Sequence, residues 1–539
     1  MSDWFDRAVV YQILPDVFRD ASGNGHGDLD GIRQALDYLV NLGVTCLWLA
    51  PIYTSPRRDD GYDIADYYSI DSRFGSAGDL VRLLEAAESR QVRVIIDISF
   101  SHTSNEHPWF KEARSDRDSE YRDYYVWADE PVKREGDVNL VGVGRVWTFD
   151  EEAGQYYHHS FYPHQPDLNP ANERLQGEIS KIIGYWLRLG VSGFRLDAVP
   201  HMIKPVGSSD HERGGFELLA KLRRFIIEQN PDAVLVGEVD ADPPDYAPYF
   251  GGGDRLQEIL NFYLPGNAFL ALAERDAKHI RHVFEALPRP PAGCQYANFL
   301  RNHDELDLER LSAKDRNTVL EEFAPEENMQ IYGRGSRRRL APMLGGDMER
   351  IRLAHSLLLS LPGTPVLYYG DEIGMGEDLS QPERDSVRTP MQWSHRANGG
   401  FSTAAPEKLA MPPIDEGPFS YEKVNVAAQL RHPGSLLDWV QRAVAARRLC
   451  PEIGRGEPRF FDAGEASVLV QASVSEGRQV LVLHNLGDEE LEVALKGDEF
   501  WLGELLEIFS DQDYPNAEGG TFALAPYGFR WFRTTELPA

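Results

Sequence analysis

The chain has few cysteines and few basic residues, and both shortages narrow the classes of protein to which it can belong. Among 539 residues there are three cysteines, Cys46, Cys294 and Cys450, with no CxxC pair and no zinc-ligand spacing. We therefore expect buried free thiols rather than a disulfide framework or a zinc site. Basic residues number 55 against 86 acidic ones, which gives a net charge of −31 at pH 7. Because such a surface repels phosphate backbones, we predict no nucleic-acid partner.

Long hydrophobic runs are also missing. No segment approaches the ~18 consecutive apolar residues that a membrane span requires. The first residues, MSDWFDRAVVYQ, lack the basic and apolar regions of a signal peptide. These absences predict a cytoplasmic protein with no membrane partner. The composition that remains is globular, with 42% hydrophobic and 11% aromatic residues, and the length predicts two or three domains.

Short runs rich in β-branched and aromatic residues alternate along the chain with amphipathic stretches. The runs predict strands over 9–18, 44–51, 92–100, 193–199, 233–239, 258–264, 296–304 and 364–373. The stretches 29–43, 77–91 and 178–190 have the 3.6-residue apolar period of helices. Such alternation predicts an α/β protein with a (β/α)8 barrel, or TIM barrel. A doubly wound sheet would also alternate, but eight near-regular units favour a closed barrel.

Two further segments depart from this alternation. Residues 103–170, rich in Trp, Tyr, His and Asp, predict a loop-rich subdomain inserted after the third strand. After residue 450 the pattern changes to short alternating runs, which predict a C-terminal antiparallel β-sandwich over 451–539. The barrel itself is expected to comprise 1–102 and 171–450.

Charged side chains stand at the ends of the predicted barrel strands, where the active sites of such barrels lie. They are Asp97, His102, Arg195, Asp197, Glu238, His303 and Asp304. A structural salt bridge explains one pair, such as Arg195 and Asp197 on one strand face, but unpaired buried charge is costly and several strands contribute. Carboxylates without a reactive cysteine or a metal-type histidine cluster indicate glycoside chemistry, which needs one ionised carboxylate and one protonated carboxyl.

Four segments carry a resemblance to a known family. DISFSH (97–102), GFRLDAVP (193–200), GEVD (237–240) and FLRNHD (299–304) resemble, in order and spacing, the signature regions of the α-amylase superfamily, glycoside hydrolase family 13. The resemblance implies Asp197 as nucleophile, Glu238 as general acid/base and Asp304 as the carboxylate that binds sugar hydroxyls and stabilises the transition state. Arg195 is expected to lower the pKa of Asp197, and burial to raise that of Glu238.

Two more motifs resemble those of exo-acting members of the family. RRDDGYDIADYY (57–68) and DSVRTPMQW (385–393) imply an Asp59–Arg388 ion pair that closes the pocket behind one glucosyl unit, with Tyr62 stacked on the sugar. A solvated loop charge is the alternative for Asp59. The resemblance also implies that His102 and His303 donate hydrogen bonds to sugar hydroxyls. HQPDLN (164–169), which contains Gln165, resembles the branch of oligo-1,6-glucosidases and trehalose synthases.

Longer stretches of the sequence indicate which reaction of the family the enzyme catalyses. LLLSLPGTPVLYYGDEIGMG (357–376) and others are similar to trehalose synthases, which implies isomerisation of maltose to trehalose by intramolecular transglucosylation through a covalent β-glucosyl-aspartate. Ser101 replaces the usual asparagine, and Val239-Asp240 follows the glutamate where Ala-Asn is typical. An exo-acting α-glucosidase, hydrolytic or transglucosylating, is the alternative; a non-catalytic relative is a third reading, against which the three retained carboxylates argue. The expected partner is a small α-glucoside such as maltose, trehalose or sucrose, and a homo-oligomer is left open.

The loop DASGNGHGD (20–28) has the alternate spacing of oxygen ligands found in calcium loops. Asp20, Ser22, Asn24, the carbonyl of His26 and Asp28 are its candidate ligands, and relatives carry a similar loop. The motif predicts one structural Ca²⁺ or Mg²⁺, remote from the strand ends, and no organic cofactor. The alternative is a Gly-rich turn held by hydrogen bonds from Asp and Asn side chains.

Overall fold

A closed barrel of eight parallel strands forms the centre of the protein. The computed structural model describes residues 4–132, 144–203, 215–495, 505–517 and 520–534. The barrel strands are β1 (Val10–Ile13), β2 (Cys46–Leu49), β3 (Arg93–Ser99), β4 (Gly193–Asp197), β5 (Val234–Gly237), β6 (Glu258–Leu260), β7 (Gln295–Asn298) and β8 (Thr364–Tyr368). Strand β8 pairs with β1 and closes the sheet. The predicted (β/α)8 barrel is confirmed, and each predicted run contains or overlaps one strand.

Several predicted elements are longer than the observed ones. The run 364–373 forms a strand only to Tyr368, and Asp371–Ile373 is a 3-10 turn. The run 258–264 ends as a strand at Leu260, because a helix begins at Tyr263. The helix predicted over 29–43 is two helices separated at Ala35. Buried loops at the barrel ends are as apolar as the strands they follow, so hydrophobicity alone does not mark where a strand stops.

Helices surround the barrel and connect its strands. The main ones are Leu29–Gln34, Leu36–Leu42, Ala77–Glu88, Glu173–Leu189, Gly215–Gln229, Ala247–Phe250, Tyr263–Glu274, Lys278–Ala286, Met348–Ser360 and Leu436–Arg448. The remaining ones are Pro15–Phe18, Pro108–Ser115, Val199–Ile203, Ala313–Phe323, Leu340–Met343, Val426–Gln429 and Pro451–Arg455. Side-chain caps set several starts: Ser76 and Asp79 form a reciprocal capping box at the N-terminus of Ala77–Glu88.

The barrel interior is layered from bottom to top. At the N-terminal ends of the strands, buried Glu258 accepts hydrogen bonds from Gln295 and Thr364. Above them lies an apolar layer that contains Val10, Cys46, Trp48, Ile95, Val234, Val236, Leu260, Ala297 and Val366. Because side chains alternate between the two faces of a strand, the next inward positions after Ile95 and Val236 are Asp97 and Glu238. The apolar layer therefore supports a charged layer at the C-terminal mouth.

Strand β4 lies close to its neighbours and brings their side chains to one level. A Cβ on Gly193 would lie 2.2 Å from the carbonyl oxygen of Val234, so β4 and β5 approach as closely as they do only with glycine there. Arg195 is the register partner of Asp97 on β3 and of Val236 on β5. The register therefore puts the Arg195 and Asp97 side chains next to each other inside the barrel.

The segment between β3 and β4 contains its own small sheet. Trp127–Ala128, Gln155–His158 and Trp147–Asp150 form three antiparallel strands beside the helix Pro108–Ser115. Two other small sheets lie among the barrel loops, one of Tyr53–Thr54 and Asp66–Ile70, the other of Leu306–Asp307, Gln330–Ile331 and Gly335–Ser336. Part of the predicted insertion, 133–143, lies outside the described residues.

The C-terminal part is antiparallel, as predicted. One sheet has five strands in the order Glu457–Asp462, Val468–Ser475, Arg478–Asn485, Phe529–Thr534 and Leu505–Ser510. A second sheet pairs Leu491–Ala494 with Thr521–Leu524, and one apolar cluster contains residues of both sheets. Ser356 on a barrel helix accepts a hydrogen bond from Trp531 and contacts His484, which joins this part to the barrel.

The sequence predicts buried free cysteines and no membrane span, and the structure bears on both predictions. All three cysteines are free; Cys46 and Cys450 are buried and Cys294 is half-buried. Across the ranges that the structure describes, no helix has the length and apolar character needed to cross a membrane.

Candidate active site

A cavity of about 360 Å³ opens at the C-terminal mouth of the barrel. Its volume is at the small end of the range of ligand pockets. The predicted residues Asp59, Tyr62, His102, Asp197, Glu238 and Asp304 all line it. Its wall contains eight carboxyl groups and three guanidinium groups: Asp59, Asp197, Glu238, Asp240, Asp304, Glu305, Asp307, Glu309, Arg310, Arg334 and Arg384. The structure thus brings the three candidate catalytic carboxyl groups to one cavity.

A single guanidinium, that of Arg195, contacts three of the buried acids. Its Nη1 lies 2.8 Å from Oδ1 of Asp97 and 2.7 Å from Oδ1 of Asp197, and its Nη2 lies 2.6 Å from Oε2 of Glu238. The Arg195 side chain is fully buried and lies over the ring of Trp48. The sequence predicts only the pairing with Asp197, so the arginine is shared more widely than expected.

Arg195 lowers the pKa of Asp197, as predicted, but the net shift of that pKa is upward. Burial raises the pKa of this carboxyl, Arg195 lowers it and the nearby Asp97 raises it again, which leaves it at about 6. Arg195 acts in the expected direction, but burial and the second carboxylate outweigh it. A pKa of about 6 still leaves Asp197 ionised at neutral pH, which a nucleophile requires.

Glu238 has the opposite protonation preference. Burial raises its pKa to about 8, with Arg195 opposing and Asp197 reinforcing the shift. Its Oε2 accepts a hydrogen bond of 2.9 Å from the backbone N–H of Ala198, the residue that follows Asp197. Ala198 has a φ of +43°, a conformation that costs energy for a residue other than glycine and that aims its N–H at Glu238. A carboxyl group that is protonated at neutral pH suits a general acid.

Asp304 is held ionised by two arginines. Its Oδ1 lies 3.1 Å from Nη1 of Arg384 and 3.0 Å from Nη2 of Arg388. Burial opposes ionisation, but the neighbouring positive charges outweigh it and hold the pKa of Asp304 well below its usual range. The three carboxyl groups therefore differ in protonation because their surroundings differ.

Tyr62, which lines the cavity, belongs to a hydrogen-bonded chain that also contains His303, which is not among the residues that line it. Gln12 donates to Nδ1 of His303 over 2.8 Å, Nε2 of His303 donates to the hydroxyl of Tyr62 over 2.7 Å, and that hydroxyl donates to Asp97 over 2.9 Å. The rings of Tyr62 and His303 stack with centroids 5.7 Å apart. Burial lowers the pKa of His303 to about 3, so the imidazole is neutral and its tautomer follows from this chain.

His102 is oriented by the residue that departs from the family pattern. Ser101 donates to Nδ1 of His102 over 2.9 Å, and Nε2 of His102 donates to the backbone carbonyl of Tyr62 over 3.2 Å. Because a carbonyl can only accept, the Tyr62 carbonyl fixes the proton on Nε2, and the serine hydroxyl donates to the unprotonated Nδ1. Both histidines donate to Tyr62 in the structure, so hydrogen bonds from them to sugar hydroxyls would replace these contacts and stay a prediction.

The predicted Asp59–Arg388 ion pair is wrong. Arg388 pairs with Asp60 and with Asp304, and its Nε donates to the carbonyl of His303 over 2.8 Å. Asp59 instead accepts a hydrogen bond of 2.7 Å from Nε2 of Gln165, which places the predicted Gln165 beside the cavity. Burial raises the pKa of Asp59. The physical reason is the turn at Asp60, whose φ of +46° directs consecutive carboxylates to different partners.

The predicted cation loop is closed by its own hydrogen bonds. Asp20 accepts from the backbone of Gly23 and Gly25 and from the hydroxyls of Ser22 and Ser402, at 2.6–3.0 Å. Asp28 accepts from the backbone N–H of Gly31 as the cap of a helix and from those of Ala21 and Ser22 in the loop, and Asn24 accepts from the backbone of His26. These donors occupy the oxygens that a cation would need, so the arrangement does not fit a calcium cage. The cation site stays a prediction, and no chemistry is derived through it.

Four residues of the site were not predicted as such. The sequence places Asp97 at a strand end without giving it a role, Asp60 lies in a motif in which only its neighbour Asp59 is predicted, and Arg384 directly precedes the motif 385–393. Arg310 pairs with Asp240 and Asp242 at the cavity wall. No motif of the sequence contains Arg310, and only the fold brings it to Asp240.

Comparisons with known proteins agree with this geometry. The family described as "Alpha amylase, catalytic domain" matches residues 12–456, and the "Sucrose hydrolase-like, C-terminal domain" matches residues 477–533. The chain is 40% identical, over 99% of its length and 96% of the relative, to the trehalose synthase of Pimelobacter sp. (strain R48). It is 41% identical to the trehalose synthase of Thermus thermophilus, over 99% of this chain and 56% of that protein.

Two further proteins show the breadth of the similarity. Glucan 1,6-α-glucosidase of Streptococcus pneumoniae serotype 4 is 33% identical over 92% of this chain and 93% of its own length. The crystal structure of an α-amylase from H. orenii superposes with a TM-score of 0.78 at 30% identity, covering 97% of this chain and 99% of that one. The barrel, the carboxyl groups at its mouth and these matches lead to one conclusion: the chain belongs to the α-amylase family, glycoside hydrolase family 13, and is an enzyme of that family.

Proposed function

We propose that the enzyme isomerises maltose to trehalose, transferring a glucosyl unit with retention of configuration through a covalent intermediate on Asp197. The observation that carries the proposal is the sharing of Arg195 between an ionised Asp197 and a protonated Glu238 in one cavity. Similarity to trehalose synthases over nearly the whole chain supports the choice of reaction.

The first step breaks the glycosidic bond of maltose. A carboxylate oxygen of Asp197 attacks the anomeric carbon, while Glu238 gives its proton to the glycosidic oxygen. The products are a glucosyl ester of Asp197, a released glucose and an ionised Glu238. Asp304, held ionised by Arg384 and Arg388, accepts hydrogen bonds from the glucosyl hydroxyls and stabilises the positive charge that develops on the ring.

The second step makes the new bond. The released glucose turns so that its anomeric hydroxyl faces the ester, Glu238 takes the proton of that hydroxyl, and the oxygen attacks the glucosyl carbon. Asp197 leaves as a carboxylate, and the product is trehalose. Every group returns to its initial protonation state, so no cofactor is consumed. Water in place of the glucose gives hydrolysis, so isomerisation requires that water be kept from the ester.

Hydrolysis is the second candidate, favoured by a specific observation. Asp240 stands two residues after Glu238 on the cavity wall, at a position where trehalose synthases carry a neutral residue. The similarity to a glucan 1,6-α-glucosidase also reaches over nearly the whole chain. The same carboxyl groups serve both outcomes, so the acceptor alone distinguishes them.

Incubation with maltose, followed by chromatographic separation of the products, tests the proposal. Trehalose as the main product with little glucose supports isomerisation, whereas glucose without trehalose supports the α-glucosidase. The Asp197→Ala variant is the control, since both reactions require this residue; turnover retained by the variant would refute the assignment of the nucleophile.

A further inference from the structure

The charged contacts of the cavity form two clusters, one at each end, which Glu305 joins through its pairs with Arg384 and Arg334. At one end, Asp59 and Asp304 interact with Arg384 and Arg388. At the other end, Asp240 interacts with Arg310, Asp307 and Glu238. Glu238 is the group common to the catalytic acids and to the second end, so the second end begins where the leaving oxygen receives its proton. A sugar released from the glucosyl unit therefore meets the Asp240 end.

Arg310 organises this second end. Its Nε lies 3.1 Å from Oδ1 of Asp240, its Nη1 lies 2.9 Å from Oδ1 of Asp242, and its Nη2 donates to the backbone carbonyl of Asp240 over 3.2 Å. The pairing holds Asp240 in one orientation. Its Oδ2 has no hydrogen-bond donor within the part of the chain that the structure describes, so this oxygen is available to accept from a sugar hydroxyl.

Each guanidinium group of the cavity wall pairs with at least two carboxylates. Arg310 contacts two acids, Arg334 contacts Glu305 and Asp307, and Arg384 contacts Asp304 and Glu305. A phosphate ester is bound through guanidinium groups free to make bidentate hydrogen bonds. Here the excess of carboxyl groups over guanidinium groups repels an anion instead.

We propose that Asp240, held by Arg310, which also pairs with Asp242, binds the released sugar and makes this end of the site select uncharged sugars over phosphorylated ones. The inference rests on the proposed function and deepens it by naming the residues that hold the acceptor. It extends to either reaction, because the leaving sugar of a hydrolase occupies the same place as the acceptor of an isomerase.

The first test compares two substrates in the Arg310→Gln and Arg310→Lys variants. Maltose places a sugar at the Asp240 end, whereas 4-nitrophenyl α-glucoside places an aryl group there. We expect kcat/KM for maltose to fall by about tenfold relative to the aryl glucoside, the factor that one or two lost hydrogen bonds produce. Arg310→Lys keeps the charge but loses the planar fork, so a smaller loss is expected. Equal losses on both substrates would overturn the proposal.

The second test compares glucose and glucose 6-phosphate as competitive inhibitors of maltose turnover. We expect the wild-type enzyme to bind the phosphate at least about tenfold more weakly than glucose. Asp242→Asn frees one side of Arg310 and should narrow this ratio. Asp245→Asn is the matched control, because Asp245 is an exposed acid in the 3-10 helix Pro243–Tyr246, which directly follows Asp242. Equal inhibition by both sugars in the wild type, or the same ratio in both variants, would contradict the proposal.

The two proposals fail in different ways. Glucose as the only product from maltose would refute isomerisation but leave both comparisons valid, because they measure binding at the Asp240 end. Trehalose formed normally, with Arg310 variants that treat maltose and the aryl glucoside alike, would refute only the acceptor site.

Discussion

Nη2 of Arg195 lies 2.6 Å from Oε2 of Glu238. The same guanidinium contacts Asp97 and Asp197 through Nη1. One positive charge thus contacts both Asp197, which must be ionised, and Glu238, which must be protonated. The two groups keep different pKa values because their neighbours differ, so Arg195 contacts both but sets the pKa of neither alone.

Replacing Arg195 by Gln should affect pH dependence as well as rate. Without the guanidinium, Asp97 and Asp197 lose the charge that favours their ionised forms, so the acid limb of the kcat/KM profile should move to higher pH. Removing one partner of a buried ion pair costs about 3–5 kcal/mol, so the unfolding temperature should also fall. The measurement is a pH–rate profile of the folded variant, with thermal unfolding beside it. An unchanged acid limb would contradict the placement of Arg195 next to Asp197.

The wild-type pH profile should be a bell. Asp197 must be ionised, and its pKa of about 6 predicts that activity is lost as pH falls through that value. Glu238 must be protonated, and its pKa of about 8 predicts loss as pH rises through that value. In Glu238→Gln the alkaline limb should disappear from the residual activity. Its persistence would assign that limb to another group.

Glu238→Gln and Asp197→Ala should fail at different points. Removing a general acid costs about 10²–10⁴ in rate, but 4-nitrophenyl α-glucoside has a leaving group that needs little protonation. Glu238→Gln should therefore retain an initial burst of 4-nitrophenol, whereas Asp197→Ala should release none. The measurement is stopped-flow absorbance. A burst in Asp197→Ala would exclude it as the nucleophile.

A double-mutant cycle can test which aspartate pairs with Arg388. The structure pairs Arg388 with Asp60, so Asp60→Asn and Arg388→Gln should be non-additive in kcat/KM by about 0.5–3 kcal/mol. The matched cycle with Asp59→Asn should show a smaller coupling, because Asp59 is bonded to Gln165. Stronger coupling to Asp59 would restore the pairing that the sequence predicts.

Chelation tests the cation loop. Because the oxygens of Asp20 and Asp28 are already hydrogen-bonded within the protein, EDTA should leave the unfolding temperature unchanged. Asp20→Asn should destabilise the protein by about 1–3 kcal/mol through lost hydrogen bonds, with or without chelator. A large fall in unfolding temperature with EDTA, reversed by Ca²⁺, would show that the loop holds a cation.

The sequence predicts the placement of a side chain well where that placement depends on residues of a single strand. Alternation along β4 puts Arg195 and Asp197 on one face, and apolar runs mark the barrel strands, so the fold and the cluster of carboxyl groups at its mouth follow from local pattern. The pKa of Asp197 depends instead on Asp97, which register brings from a neighbouring strand. No local pattern contains that contact.

Contacts made by loops are also hard to predict, because they join residues that are distant in the sequence. The backbone turn at Asp60 decides which of two adjacent aspartates meets Arg388, and the motif alone does not distinguish them. Arg310 reaches Asp240 only because the loop after β7 passes the end of β5. Pairings between loops depend on the folded backbone, whereas strand faces depend on a two-residue period.

The central claim is that the glucose released from maltose stays in the site and accepts the glucosyl unit. The most direct measurement incubates the enzyme with unlabelled maltose and an excess of ¹³C-glucose, and determines the label in the products by mass spectrometry. The account predicts trehalose as the main product, almost free of label, with little net glucose. Glucose as the main product, or trehalose labelled in proportion to the added glucose, would contradict it.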